Sequence, residues 1–544
     1  INSNSSIFDR LNGHFEKRSR AYLIFFLLAN FLFAMLAFDM KISISHDDAL
    51  YLEAGYNYAQ DFFGYYYTAN APLYPILLGI LMKLVGFKLF IMKFFSVIFM
   101  VLHTLFFYLA FKNRIPNVLL FFVLLLTIAT KSLLTYASLT FTEAFYMFLQ
   151  ALFMFILFKV IDRVENDGED IKHNWKSFLG LGLMLFVLAL AKNIAIVAVG
   201  GIVLFFILHK KFKSALYAIV SFVVFYASFA LVKTILWGEK AAGQSSTQMA
   251  NLLYKDAYDV NKGKETLSGF FNRFWFNTEN YLSIKFFDAL GLRPDDAQMD
   301  TGLTWILIVL LLAGIVSVFR TKNKAMQAAA IYTITMIGFT CLILHTSWQQ
   351  MRYIMIFVPV MLLIIFYNIY HFFNRPSFAF TQFMFVFIFV IIGFTGISKT
   401  FSIIPKNTKV LRHNLKGEKF YGYTDDWVNY LQMSEYAADS LPKDAVIACR
   451  KAPMSFVYGK GRKFLGVYKV PAADADSNLA YLKERNIKYA IVASIRAQPK
   501  VNNGNIVNTM QRILGPVQQK YPEKLKLLKQ IGEVEPAYLF EINY

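Results

Sequence analysis

The sequence predicts a polytopic α-helical membrane protein that carries a C-terminal α/β domain outside the bilayer. Three observations predict it. Apolar runs near the length of about 20 residues needed to cross a hydrocarbon core recur about eleven times. Lys and Arg gather on alternate connections between those runs. Beyond residue 400 the pattern changes to short apolar stretches alternating with amphipathic helices. Composition agrees: 57% of the 544 residues are hydrophobic, 57 are Phe, and the mean hydropathy is +0.45. With 55 Lys and Arg against 35 Asp and Glu the formal charge is +20. In such a chain the location of the cations matters more than their sum, so nucleic acid is not the expected partner. Cys341 lies in an apolar run and Cys449 in the polar C-terminal region, so no disulfide between them is expected.

The predicted spans fall near 21–38, 87–111, 117–135, 143–161, 177–191, 194–208, 215–235, 302–319, 325–344, 353–372 and 379–399. The first run has no small-residue cleavage pattern behind it and is read as a retained helix. Placing the N-terminus in the cytoplasm puts Arg10, Lys17, Arg18 and Arg20 inside. The clusters Lys112/Arg114, Lys172/Lys176, Lys210/Lys211/Lys213, Arg320/Lys322/Lys324 and Arg375 fall on the same side. An odd number of spans then leaves residues 401–544 outside as an α/β domain, behind a transmembrane domain over 1–400. The outer side also receives the loops 39–86 and 236–301. The first loop reads as a helix over 47–60, an aromatic turn Phe62-Phe63-Gly64-Tyr65-Tyr66-Tyr67, and an apolar helix over 73–85 too short to span. Such helices lie along the membrane interface, and the aromatic patch 270–276 suggests another in the second loop. In the C-terminal region 425–441 and 475–485 are helical patterns, and Ala445–Cys449 and Tyr489–Ala493 are strand patterns. No Gly-rich phosphate loop and no metal-ligand spacing occurs there.

The residues that carry chemistry begin with the adjacent carboxylates Asp47 and Asp48, within ten residues of the first span. Paired acids at a membrane boundary are costly and repel each other, which suggests a group that binds or moves a proton. The competing reading is a helix N-cap, for which Asp is well suited. The run Asp47-Asp48-Ala49-Leu50-Tyr51-Leu52-Glu53-Ala54 resembles the acidic pair that opens the first outer loop of GT-C glycosyltransferases, in particular protein O-mannosyltransferases and the lipid A aminoarabinose transferases. Ala71-Pro72-Leu73-Tyr74-Pro75-Ile76-Leu77-Leu78, followed by Leu84-Val85-Gly86, resembles their Pro-Pro-Leu segment. Thr142-Glu143-Ala144-Phe145 and Arg352-Tyr353 with Pro359 are similar to two further elements, so the likeness runs in register from about residue 20 to 400.

That resemblance implies a GT-C fold and an inverting transfer of a sugar from a polyprenyl-phosphate donor on the outer leaflet of a bacterial-type inner membrane. The acceptor is a glycolipid, a glycan or a protein, and no nucleotide or redox cofactor is required, with a divalent metal left open. It implies Asp47 as general base and Asp48 at the second acidic position. One departure stands out: lipid A transferases carry a Lys before the paired prolines, where this chain has Asn70 and Ala71, so phosphate contact must come from elsewhere. Arg352, beside Tyr353, offers a fixed bidentate fork for it. Lys88 and Lys93 break the positive-inside trend and could serve too, although snorkelling to the interface is an equal reading. Lys192 lies in a short outer turn, either in the site or simply solvated. Glu143 is an acid beside a span, a site candidate or a helix cap. Tyr74 belongs to the second motif, and His345 could line an acceptor cleft or satisfy a local hydrogen bond. No metal ligands are assigned. The rival function is a transporter or flippase of a lipid-linked glycan, which should show broken spans at matching positions in two halves.

Overall fold

The structure is a computed structural model and describes residues 5–241, 252–255, 262–496, 506–507 and 509–544. Each of the eleven predicted spans is helical. Among the described residues eight helices are long and apolar enough to cross a membrane, so the chain is a multi-pass membrane protein. They include α2 (Ser19–Leu36), α5 (Leu89–Phe111), α8 (Thr142–Asp167), α9 (Ile171–Ala191), α11 (Phe212–Trp237), α13 (Thr301–Arg320), α14 (Lys324–Ile343) and α16 (Ala379–Leu415). The other three segments differ from simple spans for identifiable reasons. The run near 117–135 is two helices, α6 (Asn117–Ala129) and α7 (Lys131–Ala137), bent by 65°. The bend sits at Thr130, whose backbone is extended and whose hydroxyl donates back to the Leu126 carbonyl. The helices at Asn193–Leu208, which contains α10 (Val197–Leu208), and α15 (Val358–Phe373) are each 10–17 residues long. At about 1.5 Å of rise per residue they fall short of a core roughly 30 Å thick.

The chain forms two compact units. The first contains the residues up to Phe38, Phe62–Tyr74 and Lys93–Asn407. Its most buried span is α8, with 72% of its apolar window inside the protein. α9 and α11 approach closely because Gly182 has no side chain: an added Cβ would collide with Ser221 and the Phe222 backbone. The amphipathic α1 (Ile7–Lys17) is capped by Ser6, which accepts from the Asp9 amide, and is anchored by stacking of Phe8 on Tyr370 at 5.6 Å between ring centroids. Arg114, in one of the basic connections, forms a bidentate pair with Asp162 at 2.7 and 2.5 Å. In the second long loop α12 (Leu267–Asn280) is helical as its aromatic pattern suggested. Its Arg273 is buried, pairing with Glu265 at 2.7 Å and donating to the carbonyls of Leu252, Tyr254 and Ile343.

The second unit contains Asp39–Asp61, Pro75–Met92 and Thr408–Tyr544, the boundary falling inside α16. It joins two first-loop helices to the C-terminal residues. α3 (Asp47–Gln60) and α4 (Leu73–Val85) cross at the backbone, since a Cβ on Gly55 would strike Leu78 and one on Gly79 would strike Tyr58. α3 also packs Tyr56 edge-on against Phe456 of the helix Ala452–Tyr458, 5.2 Å between centroids. The C-terminal part is the expected α/β arrangement: β4 (Ile495–Arg496) and β5 (Ile506–Val507) form a small antiparallel pair, and the other five strands form one sheet ordered β2-β1-β3-β7-β6. β1 (Val446–Cys449) runs parallel to β2 (Leu465–Gly466) and β3 (Ile487–Ala493), while β7 (Ala537–Ile542) is antiparallel to β3 and to β6 (Leu525–Ile531). Ala448, Leu482, Ile487, Ala490, Ile513 and Val517 form its core beneath helices Ala475–Glu484 and Thr509–Lys520.

Candidate functional site

In the second unit, the turn 43–48 carries the acidic pair, and the structure separates the two acids. His46, with φ of 90°, precedes α3 as its N-cap without a side-chain cap bond, so Asp47 is the first helical residue and not the cap. Asp48 is buried, 1% exposed, and structural: its carboxylate accepts from the Ser43 amide at 2.7 Å, the Ser43 hydroxyl at 3.2 Å and its own neighbour Ala49 N–H at 2.9 Å. Asp47 remains half-exposed at the start of the helix, where the dipole favours an anion. Cations from the end of β1 complete this region. Lys451 donates to the Ile44 carbonyl at 2.8 Å, and its charge acts on both Asp47 and Asp48. Burial and the adjacent Arg450 pull the Lys451 ammonium down to about 8. Burial likewise lowers His46 to about 4, with Lys451 adding to the effect, so this imidazole is neutral. Glu53, farther along α3, is pushed up to about 7 by burial. Lys88 is exposed in this unit.

In the first unit, Glu143 and Lys192 form one ion pair at 2.7 Å, their side chains 2% and 16% exposed. Neither competing sequence reading survives here. Phe141, not Glu143, precedes α8 as its cap position, and Lys192 is engaged with the carboxylate and lies 5.8 Å over the Tyr146 ring instead of being a solvated turn residue. Arg352 opens a one-turn helix, Arg352–Met355, and stacks over Phe141 at 5.5 Å and over Tyr353 at 5.2 Å. Tyr136 lies within electrostatic reach of Glu143, Arg352, Asp295 and Tyr353, which gathers these residues into one neighbourhood. Tyr281 belongs to it as well, feeling Arg352 and Tyr353 and donating to the Trp348 carbonyl at 2.9 Å. His345 is buried, edge-on to Trp348 at 4.9 Å. Tyr74 is fully buried against Phe145. Lys93 is 1% exposed, 5.5 Å over the Phe38 ring, which removes the snorkelling reading for it, since a snorkelling ammonium reaches water.

In the first unit, a charged fork beside aromatic rings and a buried acid–lysine pair suit recognition of a phosphate; in the second unit, a half-exposed carboxylate at a helix start suits removal of a proton. No group of three or more His, Cys, Asp or Glu side chains among the described residues could hold a metal ion. Against solved structures, the chain superposes on ArnT of Cupriavidus metallidurans bound to undecaprenyl phosphate with a TM-score of 0.55, over 96% of this chain and 98% of that one, at 11% identity. The apo form of the same enzyme gives 0.54 at 11% identity over the same shares. The Archaeoglobus fulgidus oligosaccharyltransferase tethered to an acceptor peptide gives 0.52 at 12% identity, over 97% of this chain and 74% of that one. The chain shares the fold of these solved structures. No protein-family model and no curated protein sequence matches the chain. The shared fold therefore emerges from three-dimensional likeness at an identity too low for sequence matching.

The sequence reading missed Arg450, Lys451, Tyr468, Glu53, Tyr136 and Tyr281. For the first two a signal existed: adjacent cations immediately follow the predicted strand Ala445–Cys449, at a strand's carboxyl end, where α/β sheets place ligands. Tyr136 and Tyr281 sit among so many aromatic residues that nothing in the chain distinguishes them.

Proposed function

We propose that the protein is an inverting glycosyltransferase that moves a sugar from a polyprenyl-phosphate donor to an acceptor at the outer face of the membrane. The observation that carries the reading is the GT-C fold over 96% of the chain, with a half-exposed carboxylate, Asp47, at the head of the first helix after the first span. Asp47 acts as general base. It takes the proton of the acceptor hydroxyl or amine as that atom bonds to the anomeric carbon. The carbon–oxygen bond to the lipid phosphate breaks with inversion, and polyprenyl phosphate leaves with one more negative charge than it had as the diester. For that charge we propose Arg352, whose planar fork suits a phosphate, and the buried cation Lys93, both residues of the first unit. Glu143 and Lys192 hold each other and the start of α8 in place, with Tyr353, Tyr74 and His345 as lining residues. Asp48 shapes the turn that presents Asp47.

The phosphate diester is already activated, so these residues need only position the reactants, stabilise the leaving group and accept a proton. The test uses the full-length protein in lipid nanodiscs with a panel of undecaprenyl-phosphate hexoses and pentoses and candidate glycolipid, glycan and peptide acceptors. The proposal predicts formation of undecaprenyl phosphate together with a product of inverted anomeric configuration. Donor carried across the bilayer chemically unchanged, with no undecaprenyl phosphate released, would instead establish a transporter.

A further inference from the structure

The parallel part of the C-terminal sheet offers a ligand position that the mechanism above does not use. From β1 the chain passes to β2 on one side and then to β3 on the other, so the winding direction reverses at β1. In open α/β sheets ligands bind beyond the carboxyl ends of the strands at such a reversal. Here the carboxyl end of β1 leads directly into Arg450 and Lys451, and β2 is followed closely by Tyr468.

The two cations are engaged differently. Lys451 is tied down through the Ile44 carbonyl, which accepts from its ammonium, and its amide donates to the Tyr430 hydroxyl at 3.0 Å. Arg450 is half-buried, with its guanidinium 5.0 Å over the Tyr468 ring, yet among the described residues it donates no hydrogen bond and enters no ion pair, and its Nε is fully buried without a partner. A guanidinium holds its N–H donors in a rigid fork shaped for carboxylate or phosphate. Leaving such donors unmet away from water is costly, and an oxyanion is the partner that removes the cost. The surroundings allow one. His46 packs edge-on to Tyr468 at 5.6 Å, its Nδ1 also buried without a partner. The titratable and charged groups of this region are His46, Asp47, Asp48 and Glu53 from the first loop and α3, with Cys449, Lys451 and Tyr468 from the sheet edge. His46 is neutral, Glu53 is largely protonated below about 7, and the Asp48 carboxylate is engaged by Ser43 and the Ala49 amide, so Asp47 is the principal anion to oppose a ligand there, and Lys451 offsets it.

We infer that Arg450, stacked on Tyr468 beside His46, is the recognition residue for an oxyanion, a phosphate or carboxylate, carried by one of the two reactants. This deepens the transfer reading and rests on it, since it places the charged group of a reactant near Asp47. The lipid phosphate of the donor and an acidic group on the acceptor share this chemistry, and the test separates them. Binding of undecaprenyl phosphate and of glucose 1-phosphate is measured on the full-length protein in nanodiscs, for the parent and for the R450Q, R450K and D47N variants. R450Q binds one of the two probes at least tenfold more weakly than the parent and the other with parent affinity, and R450K, which keeps the charge and loses the fork, lies between. Loss confined to undecaprenyl phosphate assigns Arg450 to the donor, and loss confined to glucose 1-phosphate assigns it to an anionic acceptor. Parent affinity for both probes in R450Q and R450K overturns the inference, as does failure of the parent to bind either probe. The base assignment is read separately, from sugar transfer by D47N. Retained transfer in D47N with lost probe binding in R450Q removes the base and leaves the oxyanion site standing.

Discussion

Replacing Lys192 by Met tests whether the Glu143 pair is the strut that the structure shows. The two charges are 2.7 Å apart, with the carboxylate side chain only 2% exposed. At an effective dielectric of about 20 their direct attraction is about 6 kcal/mol, most of which offsets the desolvation of both groups. The net pair is therefore modest, but breaking it is not: K192M leaves Glu143 buried beside an apolar side chain, and a loss of about 3–5 kcal/mol follows. The double variant E143L/K192M removes both charges and should recover much of that loss, because no charge is then stranded. The assay is thermal and denaturant unfolding in detergent of the purified parent and of the K192M, E143L and E143L/K192M variants. A destabilised K192M together with a recovered double variant is the expected pattern. Equal stability of K192M and the parent, or a double variant whose loss is the sum of the single losses, would refute the reasoning, since either result means the two side chains do not depend on each other.

Three further outcomes follow from the geometry. Glu53 is raised from 4.5 to about 7 by burial, so between those values the folded protein holds a proton that the unfolded chain releases, and stability falls as pH rises through this window. Its residual exposure discounts the effect to about 2 kcal/mol, and the E53Q variant should flatten the pH dependence of the melting temperature between pH 5 and 7. Gly182→Leu should separate α9 from α11 and lower thermal stability, whereas the same change at Gly180, which has open space around it, should be tolerated, as comparative melting curves would show. Arg352→Ala should weaken undecaprenyl-phosphate binding by about tenfold or more, the loss of a charge-assisted fork, and unchanged affinity in a titration would remove that residue from the phosphate site.

How far the sequence reaches can be judged residue by residue. The helices at 47–60, 425–440 and 475–484 begin and end within a residue of where periodicity places them, and each predicted span is a helix. Length was the harder property: hydropathy alone does not reveal that Val358–Phe373 is short or that Thr130 bends its run, because both depend on where the backbone stops hydrogen bonding. The antiparallel pair β6 and β7 was missed because Leu525–Ile531 does not hold a period of two: its apolar residues fall out of alternation, and its pairing with β7 shifts register between Leu527 and Lys529. In the candidate site, Glu143 and Lys192 were legible separately as charges beside spans, but their pairing depends on how α8 and the end of α9 pack. Asp47 and Asp48 look equivalent as a dipeptide. Their difference arises from helix geometry, which turns one inward to the Ser43 backbone and leaves the other half-exposed. Arg450 and Lys451 lie some 400 residues from that pair, a separation that only the fold closes.

The most direct test is sugar transfer from an undecaprenyl-phosphate donor by the Asp47→Asn variant, measured beside donor binding and melting temperature. The proposed chemistry predicts a turnover lower by about a hundredfold or more, with donor affinity and stability at parent values, as expected when a general base is removed. Transfer at the parent rate by a folded, donor-binding Asp47→Asn protein would contradict it.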